Sequence, residues 1–129
     1  MTVVGLVLAT LAAAIHVSVF VLESLRWMRP ATRAVFGIAT EDEARTTRLL
    51  AFNQGFYNLF LAIVTLTGVV LIASGVLAAG YALVLAGAGS MIGAGLVLIA
   101  SSPNLLRAAL IQALPPALGL VALAVGVLR

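Results

Sequence analysis

The sequence predicts an all-α, polytopic membrane protein, a bundle of four transmembrane helices. Of its 129 residues, 64% are hydrophobic and only 9% are charged, and the mean hydropathy is +1.25. Four apolar runs reach the length of about 20 helical residues that crosses the ~30 Å hydrocarbon core of a bilayer. A soluble domain of this size would need a larger charged surface. We therefore expect the lipid bilayer to surround the chain.

The apolar runs define a single four-helix membrane domain over residues 1–129. The start of the chain lacks the positively charged region of a signal peptide, so we interpret it as part of the first span. The predicted spans are about 2–28, 49–72, 81–100 and 105–128, and the polar connection is 29–48.

Helix ends are marked by specific residues. Pro30 is expected to stop the first helix. Thr40 and Glu43 form a capping box that should start the second helix near Glu41, outside the lipid, with each side chain bonding the other residue's amide. Pro115 and Pro116 should kink the last helix.

Arginine placement predicts the orientation. All seven basic residues are Arg, and the formal net charge is +3. The positive-inside rule places the first and third connections in the cytoplasm and both termini outside. We expect the membrane to be a bacterial plasma (inner) membrane. We expect no nucleic-acid partner, because the arginines are placed as membrane-topology signals. The arginines near the first and third connections are Arg26, Arg29, Arg33, Arg45, Arg48 and Arg107.

Polar residues inside the first span are spaced for one helix face. His16, Phe20, Glu23 and Trp27 follow one another at intervals of four, three and four, which places them on one stripe. Polar groups that face lipid are costly, so the stripe should face the bundle interior.

The second and fourth spans add polar groups at a similar depth. Asn53, Gln54, Tyr57 and Asn58 lie in the second span, and Gln112 lies in the fourth. Counting residues from the nearest arginines places them all in the cytoplasmic half of the membrane. The pattern predicts an inward-facing polar pocket lined by three helices.

Each of these residues also has a simpler structural interpretation. Glu23 could pair with Arg26, His16 could be a hydrogen-bonded core histidine, and Trp27 could anchor the interface. The amides of the second span could join helices, each contributing on the order of 0.6–2 kcal/mol. Because Tyr57 joins three amides within two turns, we favour a binding site.

The third span carries a GxxxG pattern at Gly89 and Gly93. Small residues at this spacing let helices approach closely. Since the predicted pocket makes little use of this helix, a homodimer through the Gly89/Gly93 face is expected.

The polar residues together resemble a family of small bacterial membrane proteins, domain of unknown function 1304. The resemblance rests on the first-span stripe, on Asn-Gln-Gly-x-Tyr-Asn at 53–58, and on Gln112 with Pro115. It covers nearly the whole chain, but Ala113 and Pro116 depart from the family's Gln-Gly-x-Pro-Ala block. The resemblance implies four spans and one shared site, without an established activity.

Three functions fit the sequence. The first is binding or transport of a small solute or lipid-like ligand, with Glu23 and His16 exchanging protons. The second is a membrane enzyme of isomerase type that acts on a lipid-soluble substrate, with Glu23 and His16 as acid and base. The third is an accessory subunit of a membrane complex. The chain has no Cys and one His, so we expect no metal site, and we expect no cofactor.

Overall fold

The computed structural model describes residues 1–128, which form five α-helices and no strand. The helices are α1 (Thr2–Phe20), α2 (Pro30–Phe36), α3 (Glu41–Ala73), α4 (Leu77–Ser101) and α5 (Leu106–Val127). A π-helical turn, Val21–Leu25, continues α1, and a 3₁₀ turn, Pro103–Leu105, precedes α5.

Four of these helices are long and apolar enough to cross a membrane, as the sequence predicts. In the bundle α1 packs against α3, α3 against α4, α4 against α5, and α5 against α1. Each long helix therefore has two helical neighbours, and the first and last spans close the ring. The all-α fold with four membrane-spanning helices is confirmed.

The first helix ends earlier than expected. The helical segment stops at Leu25 rather than near Met28, and its last turn is a π turn. Arg26 leaves the helical region with φ −125° and ψ 16°. Pro30 does not terminate this helix but occupies the first turn of α2, where a missing N–H costs nothing. The short helix α2 then ends at Gly37, which has φ 69°.

The start of α3 follows the predicted cap, with one difference. The Glu43 amide donates to Thr40 Oγ1 at 3.2 Å, as expected. The Glu43 carboxylate, however, accepts from the Ala39 amide at 3.1 Å instead of from Thr40. The hydrogen bond to the Glu43 carboxylate therefore comes from the residue before Thr40, and it still satisfies a backbone N–H. With 33 residues, α3 is about 50 Å long and extends beyond the hydrocarbon core.

The third span also differs from expectation, whereas the fourth lies close to its predicted bounds. α4 starts at Leu77, four residues before the predicted Tyr81, so Gly80 lies inside the helix, where it packs closely against Ile72. α5 remains one α-helix through Pro115 and Pro116. The prolines therefore do not divide the helix, and the expected kink stays a prediction.

Glycines bring α3 and α4 together at some positions and leave open space at others. A Cβ added to Gly68 would lie 2.7 Å from the Val84 amide nitrogen, so the two backbones meet there. A Cβ added to Gly89 or to Gly93 would meet nothing within 4 Å. The predicted GxxxG face is thus unused within residues 1–128, and the homodimer through it stays a prediction.

Candidate functional site

Glu23 lies buried in the π turn that ends the first span, with 8% of its surface exposed. Its Oε2 accepts a hydrogen bond of 2.9 Å from Asn58 Nδ2. Asn58, 7% exposed, also donates to the Gln54 carbonyl oxygen at 3.1 Å. No arginine pairs with Glu23 among residues 1–128, so the suggested pair with Arg26 is not formed. The carboxyl group is held by an amide of α3.

A close approach of backbones holds Glu23 against α3. Ser24 Oγ donates to the Phe52 carbonyl oxygen at 2.8 Å. A Cβ added to Gly55 would collide with Ser24 Oγ and would lie 3.1 Å from Glu23 Cβ. Only a glycine leaves room for this contact. The glycine of the 53–58 block is therefore the point where α3 meets the π turn.

Aromatic contacts fix the two ends of this junction. Phe20 and Phe56 meet edge to face with their ring centroids 5.1 Å apart. Trp27 is 8% exposed, and its Nε1 donates to the Ala44 carbonyl oxygen at 3.0 Å. The Phe36 ring of α2 lies 5.2 Å from the Trp27 ring. Trp27 therefore forms a fixed wall between α2 and α3, more enclosed than an interfacial anchor.

A groove of about 440 Å³ runs beside Glu23 along α3. It brings together five of the eight residues proposed from the sequence. We call it the polar groove, and its lining is Glu23, Trp27, Ile38, Thr47, Leu50, Ala51, Asn53, Gln54 and Tyr57. Asn58 stands behind it through its bond to Glu23.

The polar groove lies on the outside of the bundle. Its walls come from the π turn, Trp27, Ile38 and α3, and neither α4 nor α5 contributes to it. Tyr57 is 64% exposed and Leu50 is 71% exposed. The groove therefore opens sideways, whereas the sequence predicts a pocket between three helices. Gln112 of α5 is half-buried and does not line it.

His16 is buried on the predicted interior face but is separate from the groove. It has no exposed surface, and its Nδ1 lies 3.0 Å from the Ala12 carbonyl oxygen, which accepts the bond. Nε2 has no hydrogen-bond partner among residues 1–128. The imidazole does not line the cavity beside Glu23. The two groups proposed as an acid–base pair therefore do not share a cavity.

Replacing His16 with Leu should leave the free energy of unfolding unchanged or raise it by up to about 1 kcal/mol. The unpartnered Nε2 costs about 1–3 kcal/mol, which exceeds the about 0.5–1.5 kcal/mol of the lost Nδ1 bond. Unfolding by SDS in mixed micelles, followed by circular dichroism, measures the change. His16→Ala is the control, and the cavity that it leaves should cost at least about 2 kcal/mol. A comparable loss in His16→Leu would contradict this account.

Several residues of the site were not identified from the sequence. Ser24 and Gly55 position Glu23, and Ile38 and Thr47 line the groove. Gly55 carried a signal, since a helical glycine beside polar side chains is typical of a close backbone approach. The other three have no distinctive spacing. Residues 1–128 contain no group of three or more His, Cys, Asp and Glu that could hold a metal ion.

The comparisons with known proteins give one match, to a family of unknown function. No curated protein and no solved structure matches the chain. One family model, described as "Protein of unknown function (DUF1304)", matches residues 10–124 and therefore includes every residue of the polar groove. The chain belongs to the DUF1304 family of proteins of unknown function.

Proposed function

We propose that the protein binds a small amphipathic solute in the polar groove and couples its passage to protonation of Glu23. The observation that carries the proposal is Glu23 itself, a carboxyl group buried in a membrane span without a basic partner. Such groups are rare in membrane segments and mark ion and substrate pathways. Asn58 occupies Oε2, which leaves Oε1 to accept a bond from a ligand.

The chemistry of the groove favours a ligand with a donor at one end and an apolar body. Glu23 accepts hydrogen bonds, and the amides of Asn53 and Gln54 both donate and accept them. The rings of Trp27 and Tyr57 offer faces that attract cations. A small organic cation with N–H donors satisfies all of these groups at once. Its apolar part would lie against Leu50 and the adjoining lipid.

Solute binding is better supported than the isomerase alternative. Acid–base chemistry between Glu23 and His16 would require both groups to contact one substrate. His16 is fully buried and absent from the groove lining. Binding and transport need only the carboxyl group of Glu23, which lines the groove.

Glu23→Gln should weaken binding of benzylguanidinium, a permanently charged probe with N–H donors, by at least about tenfold. A bond to a charged group is worth about 1.5–3 kcal/mol, and 1.4 kcal/mol is tenfold in affinity. Trp27 is the single tryptophan of the chain and lines the groove, so its fluorescence reports binding. Gln preserves the acceptor for Asn58, which keeps the variant folded.

Asp42→Asn is the control, because Asp42 is an exposed acid on α3 that does not line the groove. It should bind benzylguanidinium as the wild type does. In proteoliposomes, a pH gradient should drive uptake of the labelled probe by wild type and Asp42→Asn but not by Glu23→Gln. Equal binding by all three proteins would refute the role of Glu23, and uptake by Glu23→Gln would refute proton coupling.

A further inference from the structure

A second cavity lies beside Glu23, with a volume of about 220 Å³. We call it the arginine cavity. It shares only Glu23 and Trp27 with the polar groove, so these two side chains stand between the two spaces. Its lining is Glu23, Ser24, Leu25, Arg26, Trp27, Met28, Arg29, Arg48 and Phe52.

Three arginines line the arginine cavity, and their exposed side chains have no protein partner in the described part of the chain. Within residues 1–128 the one ion pair is Arg45–Glu41. No side-chain hydrogen bond to a protein acceptor is formed by Arg26, Arg29 or Arg48 in the same range. Each guanidinium carries five N–H donors in a planar fork. Three arginines without a protein partner in this range are thus clustered around one cavity.

The opposing charge in this cavity is small. Glu23 is the only acidic residue in the lining, and it is already bonded to Asn58. Even with Glu23 ionised, three positive groups against one negative group leave a net positive cavity. An anion is therefore the matching ligand, and the guanidinium fork favours the oxygen atoms of a phosphate.

The remaining lining indicates the source of that phosphate. Leu25, Met28 and Phe52 give the cavity an apolar side next to the arginines. Arg48 and Phe52 are four residues apart on α3 and therefore share one face. The cavity lies where the first span ends, at Leu25, which is the level at which we expect lipid headgroups. Basic pockets at this level bind phosphorylated headgroups. We propose that the arginine cavity binds the phosphate of an anionic phospholipid, with its glycerol and upper acyl chain against the apolar side.

The test is competition between lipids for the purified full chain in a neutral detergent, measured by native mass spectrometry. With equal amounts of phosphatidylglycerol and phosphatidylcholine, the wild type should retain phosphatidylglycerol about tenfold or more in preference. The double variant Arg29→Gln/Arg48→Gln should retain the two lipids within about twofold of each other, since it loses two of the three phosphate donors.

The matched control is Arg45→Gln/Arg107→Gln, which removes the same charge from α3 and α5 outside the cavity. It should keep the wild-type preference. If both double variants lose the preference for phosphatidylglycerol, the preference depends on net charge and the proposal is wrong. The proposal is also wrong if the wild type shows no preference. Displacement of the lipid by an equal concentration of soluble glycerol phosphate would overturn the lipid assignment. Circular dichroism confirms that each variant is folded.

Discussion

Gly55→Ala is expected to lower the free energy of unfolding by about 2 kcal/mol and to abolish benzylguanidinium binding. The new Cβ would collide with Ser24 Oγ, which can rotate, and would lie 3.0 Å from the Ser24 amide nitrogen, which cannot. Overpacking of this kind costs about 1–3 kcal/mol. Relieving it requires the π turn to move away from α3, and Glu23 moves with that turn.

The control for Gly55→Ala is Gly93→Ala on α4. Both glycines are inside long helices, but a Cβ at Gly93 meets nothing within 4 Å. Helix propensity then favours Ala by up to about 1 kcal/mol, so this variant should be as stable as the wild type or slightly more stable. SDS unfolding followed by circular dichroism gives both values. Equal stability of the two variants would show that the contact between Gly55 and Ser24 is not tight.

A stable Gly55→Ala protein would also separate two explanations of the polar residues. If Glu23 needs its exact position to bind the probe, the free energy of probe binding should fall by more than the free energy of unfolding. Adding Ser24→Gly to Gly55→Ala removes the collision with Oγ and should recover part of both losses. Recovery of stability without binding would assign the contact to folding alone.

Composition and spacing predicted the membrane fold and one face of the site. A stripe at intervals of three and four predicts that His16, Glu23 and Trp27 face inward, and all three are buried. The prediction succeeds because an amphipathic pattern in a membrane span has one favourable solution, with polar groups away from lipid. The capping residues of α3 were also predictable, since their bonds are local in sequence.

The position of the groove could not be predicted in the same way. Gln54 and Asn58 share a face of α3, yet Asn58 is buried against Glu23 while Gln54 is exposed. The difference depends on where the π turn crosses α3, and a π turn has no distinctive sequence pattern. The estimated depth of Gln112 in the membrane did not predict whether it lines the groove, because residues at one depth on different helices need not face one another.

Replacing Asn58 alone should cost at least as much stability as replacing Glu23 and Asn58 together. Asn58→Leu leaves a buried carboxyl group without its donor and should lower the free energy of unfolding by about 2 kcal/mol. Glu23→Leu leaves Asn58 with its bond to the Gln54 carbonyl oxygen, so we expect a loss of about 1 kcal/mol.

The double variant Glu23→Leu/Asn58→Leu replaces both polar groups with apolar ones of similar size. Its loss should be smaller than the sum of the single losses by about 1–2 kcal/mol, the range of hydrogen-bond couplings between membrane helices and to charged groups. Leu should therefore be tolerated at both positions at least as well as at Asn58 alone. Strictly additive losses would mean that the 2.9 Å contact contributes nothing to stability. Non-additive losses, together with the absence of probe binding in the double variant, would indicate that the carboxyl group is retained for function, since the bundle folds without it.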